Sequence, residues 1–182
     1  MVDIQTVSIV LASASVIAGV IYYAFQIRHQ NRMRKTDLVI RLCSRIQSDD
    51  YSDAMRVVMN LEFKDYDEFV KKYGPMFHRT QAFQEVAKSL TRVWGFYDLV
   101  GTLLYRRHID LGLVYDILGV SEIKRIYDKT KPLIVEFGKE LNEPVWMRGF
   151  IYLYNELLRK EPQLRKTWAK VSLPTISETN SL

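Results

Sequence analysis

The sequence predicts an all-α protein, with one N-terminal transmembrane helix followed by a compact cytoplasmic bundle of six to eight helices. Three observations carry this prediction. From Ile4 to Ile27 there is no Asp, Glu, Lys or Arg. Beyond Lys35, apolar residues recur at spacings of three and four nearly everywhere, the period of an amphipathic helix. No stretch alternates apolar and polar residues between hairpin turns, which argues against a sheet.

The first element is the membrane anchor, residues 1–27. As a helix rising 1.5 Å per residue, Ile4 to Ile27 extends about 36 Å, enough for a hydrocarbon core of about 30 Å with some tilt. Gln5 and Gln26 sit at its ends, and Tyr22 and Tyr23 fall where amphipathic rings prefer the headgroup layer. Arg28, Arg32, Arg34 and Lys35 follow at once and are the candidate lipid-headgroup residues, with Arg28, Arg32 and Lys35 on one helical face. A cleavable secretory signal fits less well. It needs a basic leading region and a shorter apolar core, and Ala12-Ser13-Ala14, which looks like a cleavage motif, lies inside the run. A buried core helix is opposed by the abrupt basic boundary. All 26 basic residues lie at or after Arg28, and of the 21 acidic residues only Asp3 precedes it. Retention of basic flanks on the cytoplasmic side then places the N-terminus outside and the C-terminal domain inside the cell membrane.

Ser8, Ala12, Ser15 and Gly19 line one face of this helix. Small residues there let two helices approach closely in lipid, so self-association or docking on another span is one reading. Ordinary transmembrane composition is the other.

A basic juxtamembrane helix, 28–50, carries Leu38, Leu42 and Ile46 on one face and continues to about Gln47, where Asp49 and Asp50 break it. The helical domain, 51–171, opens with Ser52 as N-cap ahead of Ala54, Val57, Val58 and Leu61. Asp65 with Glu68 resembles a capping box before Phe69, Val70 and Tyr73, and Gly74-Pro75 closes that helix. The longest helix starts near Thr80 and stacks Phe83, Val86, Leu90, Val93, Trp94, Tyr97 and Leu104 into one stripe. Gly95 and Gly101 inside it each cost about 1 kcal/mol relative to Ala, so close helix packing is expected at both. Asp110 caps a short helix ending at Gly119. Ser121 caps the next, which runs to about Leu141 with a kink or break at Pro132. The last helix opens near Pro144, aligns Trp146, Phe150, Leu153 and Leu157, and is interrupted at Pro162, with Leu164 and Trp168 in a final turn or two. Residues 172–182 are polar and read as a disordered tail.

Sites of known chemistry are not visible. Cys43 is the single cysteine, which excludes an intrachain disulfide, and it reads as a small core side chain. His29, His78 and His108 are isolated and read as solvated, so neither a metal nor another cofactor is expected. No GxGxxG, GxxxxGK[ST] or GxSxG occurs; Tyr127 and Lys131 have the spacing of one dehydrogenase class but lack a dinucleotide fold. The basic excess is partly the membrane flank and carries no nucleic-acid motif, so nucleic acid is not an expected partner. Asp98, between Phe96-Tyr97 and Leu99-Val100, is the candidate buried polar residue. It is either an acid or partner-binding charge, or a structural carboxylate paired with Arg92 or Arg106.

These features resemble a family of uncharacterised archaeal and bacterial single-pass membrane proteins built on a domain of unknown function. The resemblance rests on the N-terminal span with its basic flank and on Thr36 to Leu42. It continues through Lys64 to Phe69, Tyr73-Gly74-Pro75, Phe96-Tyr97-Asp98 with Gly101 and Leu103, Ile109-Asp110-Leu111 and Tyr152-Leu153, covering the chain to about Arg159. It implies a membrane-anchored helical domain and lends no catalytic residues. The expected function is a membrane-tethered protein-interaction module; its partners would be the lipid bilayer and either another protein or a second copy through the transmembrane helix. The alternative is a small-molecule sensor or an enzyme with a pocket between helices. A filled core with an exposed apolar groove favours the first. A cavity of several hundred cubic ångströms with two or more converging polar side chains favours the second.

Overall fold

The computed structural model describes residues 3–75 and 81–168, without the side chains of 4–12, 31, 32, 82, 167 and 168. The expectations for His78, for a helix start at Thr80 and for the tail from Ser172 lie outside the described residues. Those described form seven helices and no strand: α1 (Ile4–Ile46), α2 (Asp49–Asn60), α3 (Tyr66–Tyr73), α4 (Gln81–Tyr105), α5 (Leu111–Leu118), α6 (Val120–Glu140) and α7 (Arg148–Trp168). The chain divides into two compact units, Met1–Arg45 and Ile46–Leu182.

The first unit is α1, a single helix that runs unbroken from the uncharged stretch through the basic flank. Val16, Ile17, Val20, Ile21, Tyr22, Tyr23 and Phe25 are all at least half exposed. At 100° per residue those positions surround the helix on every side. Arg28, Arg34 and Lys35 are exposed, as are Ser15 and Gly19, while the side chains of Ser8, Ala12 and Arg32 are outside the described set. Among the described residues, no helix is long and apolar enough to cross a membrane. The described side chains of the uncharged run begin at residue 13, and 13–27 extends about 22 Å against the roughly 30 Å of a hydrocarbon core. Cys43 is half-buried rather than buried.

In the second unit the helix ends follow local chemistry, with several departures from the sequence reading. Ser48, not Ser52, caps α2, its Oγ accepting from the Tyr51 N–H at 3.3 Å. Asp49 and Asp50 therefore open this helix, where negative charge complements the helix dipole. Asp65 caps α3 by accepting from the Glu68 N–H at 2.9 Å, and Glu68 reaches back to the Lys64 N–H at 2.9 Å. Gly74, at φ 96°, closes α3. Asp110 caps α5 through the Leu113 N–H at 2.8 Å. Gly119, at φ 68°, ends α5 and begins α6 directly, so Ser121 lies inside α6 and caps nothing.

Neither proline breaks its helix. Pro132 lies inside α6 and Pro162 inside α7. The carbonyls each would leave unbonded, four residues back, belong to Asp128 and Leu158, both exposed residues. The last helix begins at Arg148 rather than near Pro144. Before it, Asn142 at φ 51° ends α6, with the Asn142 N–H donating to Lys139 O and the Glu143 N–H to Gly138 O. Trp146 thus sits in the turn rather than on α7.

The core forms around α4, which packs most extensively on α7 and α2, while α6 packs on α7. Phe69, Phe83, Trp94 and Phe137 make edge-on aromatic contacts 5.8–6.5 Å apart. Tyr51, Phe96, Tyr97, Phe150 and Tyr127 continue them on the other side. Val93, Phe96, Tyr97, Phe150 and Leu153 are fully buried, and burial of each such side chain stabilises the fold by about 1.5–3 kcal/mol. Two buried polar groups in this core satisfy each other: the Trp94 indole N–H donates to Thr130 Oγ1 at 3.0 Å, and that hydroxyl donates to Ile126 O at 2.8 Å.

Candidate functional site

Where α4 crosses the start of α7, the two backbones touch. A Cβ on Gly101 would lie 1.8 Å from Gly149 O, and a Cβ on Gly149 would lie 2.2 Å from Asp98 O. This contact explains Gly101. Gly95 has no such explanation, because a Cβ there would meet nothing within 4 Å.

The crossing also settles what Asp98 touches. Its Oδ1 accepts from the Gly149 N–H at 2.8 Å and the Phe150 N–H at 3.2 Å. The half-buried carboxylate from the middle of α4 thereby serves as the cap of α7, satisfying two of the amides that a helix start leaves unbonded. The expected arginine pairing is absent: Arg92 binds Asp50 at 3.1 Å instead, and Arg106 lies over the Tyr105 ring, 6.0 Å from its centroid.

Beside this crossing is a cavity of about 390 Å³ lined by Thr102, Tyr105, Arg106, Arg148, Gly149 and Tyr152. Its volume falls within the roughly 300–1,000 Å³ typical of small-molecule sites. Local structure explains each wall. Arg106 and Arg107 end α4, with Arg107 at φ 60°, its N–H donating to Leu104 O and the His108 N–H to Leu103 O. That closure holds Arg106 at the negative end of the α4 dipole. Arg148 is the first residue of α7. The Tyr105 and Tyr152 rings meet edge-on at 5.3 Å and form an aromatic wall. The cavity thus collects two guanidinium groups, a hydroxyl and two phenol rings, with no carboxylate in its lining.

A second, open cleft of about 540 Å³ runs along α6 and the turn after it, lined by residues that include Tyr127, Ile134, Val135, Lys139, Glu143 and Trp146. The Trp146 indole nitrogen is buried with no hydrogen-bond partner among the described residues. Lys139 is already held by Glu136 at 2.7 Å, so this cleft offers less unsatisfied charge than the first.

Elsewhere, buried phenols dominate the titration. Burial pushes the Tyr97 hydroxyl far up, and the Glu122 carboxylate that accepts its proton at 2.8 Å adds to the effect. Tyr154, bound to Asp128 at 2.6 Å, is pushed up to about 12. Burial lowers the Lys129 ammonium, which donates to Met59 O. Among the described residues, no group of three or more His, Cys, Asp or Glu is placed to hold a metal ion.

Of the residues singled out from the sequence, Asp98 belongs to this site as its supporting cap. The basic flank and the small-residue face of α1 are in the other unit. Sequence reasoning considered Arg106 only as a partner for Asp98 and passed over Arg148. The run Tyr105-Arg106-Arg107-His108 is a visible cue, but Arg148 lies 42 positions beyond Arg106 and joins it only through the α4–α7 crossing.

The chain belongs to a family described as a domain of unknown function (DUF4760), whose model matches residues 13–157. No curated protein and no solved structure matches significantly.

Proposed function

We propose that this chain is a membrane-anchored ligand-binding module of the sensor type. The observation that carries the ligand-binding half is the convergence of Arg106, Arg148 and Thr102 from two helices on one cavity of about 390 Å³. The membrane half is supported by α1. Its apolar side chains are exposed on every side, and a helix apolar all round requires a surrounding apolar medium. In sequence the uncharged run continues back to Ile4. The single-pass setting, the outside N-terminus, the cytoplasmic Ile46–Leu182 unit and an archaeal or bacterial membrane belong to this proposal. The headgroup role of Arg28, Arg32, Arg34 and Lys35 belongs to it as well.

The test is extraction of the protein from its native membrane in mild detergent, followed by weighing of the intact complex. A small non-covalent mass retained by the chain and lost in Arg148→Gln supports the sensor reading. Release of the protein by alkaline carbonate would refute the anchor, and protease access to the C-terminal unit in sealed right-side-out cells would refute the orientation. The second reading, a protein-docking module, is favoured by the open cleft along α6. A stoichiometric protein in the same extract would select it.

A further inference from the structure

The cavity between α4 and α7 has a charge pattern that specifies the class of its ligand. Among the described residues, six cations of the second unit are held in ion pairs with carboxylates. Arg56 binds Asp53, Lys72 binds Glu62 and Glu68, Arg92 binds Asp50, Lys139 binds Glu136, Arg159 binds Glu156 and Arg165 binds Glu161. Arg106 and Arg148 line one cavity and have no ion pair among the described residues. The amides at the start of α7 do not add to the site, because Asp98 already takes the Gly149 and Phe150 N–H groups. The attraction therefore comes from the two guanidinium groups, opposed in part by the Asp98 carboxylate behind Gly149. The Thr102 hydroxyl, which has no hydrogen bond among the described residues, adds a third donor from the α4 side.

We propose that this cavity binds a phosphate-bearing ligand, with its phosphoryl group between Arg106 and Arg148 and its organic portion against the Tyr105–Tyr152 wall. The inference rests on the ligand-binding reading above and narrows it. Guanidinium forks match phosphate oxygens in pairs. A phosphomonoester carries about −1.5 to −2 charges at neutral pH, which matches two arginines, whereas a carboxylate supplies one charge and two coplanar oxygens. Three donor groups from separate positions suit a tetrahedral acceptor better than a planar one. The same chemistry is found in a free phosphate ester and in a phospholipid headgroup, and the experiment must separate them.

The full chain is reconstituted in phosphatidylcholine nanodiscs and titrated calorimetrically with glycerol 3-phosphate and, separately, with glycerate. A parallel preparation containing phosphatidic acid is weighed intact to count retained lipids. Because the cavity lies wholly within Ile46–Leu182, the titration reports on it whether or not α1 inserts. The expected result is saturable binding of glycerol 3-phosphate, weakened about tenfold or more in both Arg106→Gln and Arg148→Gln. Thr102→Val weakens it severalfold and Arg56→Gln leaves it unchanged. Retention of phosphatidic acid alone, lost in the same two variants, supports the inference and assigns the phosphate to a lipid headgroup. Glycerate binding as tightly as glycerol 3-phosphate, with both lost in the variants, overturns the phosphate inference and leaves the ligand-binding reading standing. Binding that survives both variants overturns the two together, and absence of binding by either phosphate probe overturns the inference. All four replaced side chains are partly or fully exposed, and unchanged thermal unfolding of each variant confirms that folding is not the cause.

Discussion

Replacing Gly101 with alanine tests the central packing argument most directly. The new Cβ would lie 1.8 Å from Gly149 O and 2.4 Å from Gly149 C. These are backbone atoms that no rotamer change can move, so α4 and α7 must separate by about 1.5 Å to restore ordinary contact. Overpacking of this kind costs about 1–3 kcal/mol, and a rigid backbone places the cost at the upper end. Separation also stretches the two bonds from Gly149 and Phe150 to Asp98. Hydrogen bonds to a charged group contribute about 1.5–3 kcal/mol each, and their partial loss adds about 2 kcal/mol. Alanine returns about 1 kcal/mol of helix propensity. The net loss is about 4 kcal/mol, or a fall of about 10–15 °C in Tm for a unit of this size. Gly95→Ala in the same helix is the matched control. Nothing lies within 4 Å of its added Cβ, so only the propensity remains, and stability rises by about 0.5–1 kcal/mol. Urea unfolding of both variants in detergent, followed by near-ultraviolet circular dichroism, measures the difference. A Gly101→Ala protein within about 0.5 kcal/mol of wild type would refute the close-crossing argument.

Three further outcomes are expected. Asp98→Ala removes the cap of α7 and both of its hydrogen bonds to backbone amides and lowers stability by about 2–4 kcal/mol; equal stability in urea would mean that water replaces the carboxylate. Thr130→Val leaves the Trp94 indole N–H buried without its acceptor and costs about 1–3 kcal/mol, whereas adding Trp94→Phe should recover part of the hydrogen-bonding loss in a double-mutant cycle. Alkaline stability depends on the tyrosines. The folded state holds the Tyr97 proton more tightly than the unfolded chain, chiefly through burial. The stabilisation is therefore complete below the unfolded pKa of about 10 and declines as pH rises above it. Urea midpoints should fall between about pH 9 and 11 in wild type and fall less steeply in Tyr97→Phe; identical slopes would exclude Tyr97 as a contributor.

Local sequence was enough to place most helices, because a helix is built from contacts three and four residues apart. The stripe Val86, Leu90, Val93, Trp94 and Tyr97 on α4 is buried, and Asp65 and Asp110 cap the helices their positions indicated. The errors cluster where several local solutions compete. Ser48 and Ser52 both precede a helical pattern, and Asp49-Asp50 reads as a break until the helix dipole beside it is known. A proline removes one backbone hydrogen bond and crowds the carbonyl four residues back, so whether the helix runs on through it depends on the packing around it, and the exposure of Asp128 and Leu158 is a tertiary property.

By itself the sequence determined an all-helical chain, an uncharged first segment followed at once by cations, and the apolar stripes that make a core. Those follow from composition and from periods of three to four residues. Only the tertiary structure decided that Gly101 is required and Gly95 is not, that Asp98 caps a helix beginning 50 residues later, and that Arg106 and Arg148 line one cavity. The reason is that each of these depends on which residues of α4 meet α7. That register is set by the packing of two whole helical surfaces and leaves no short-range mark in the chain.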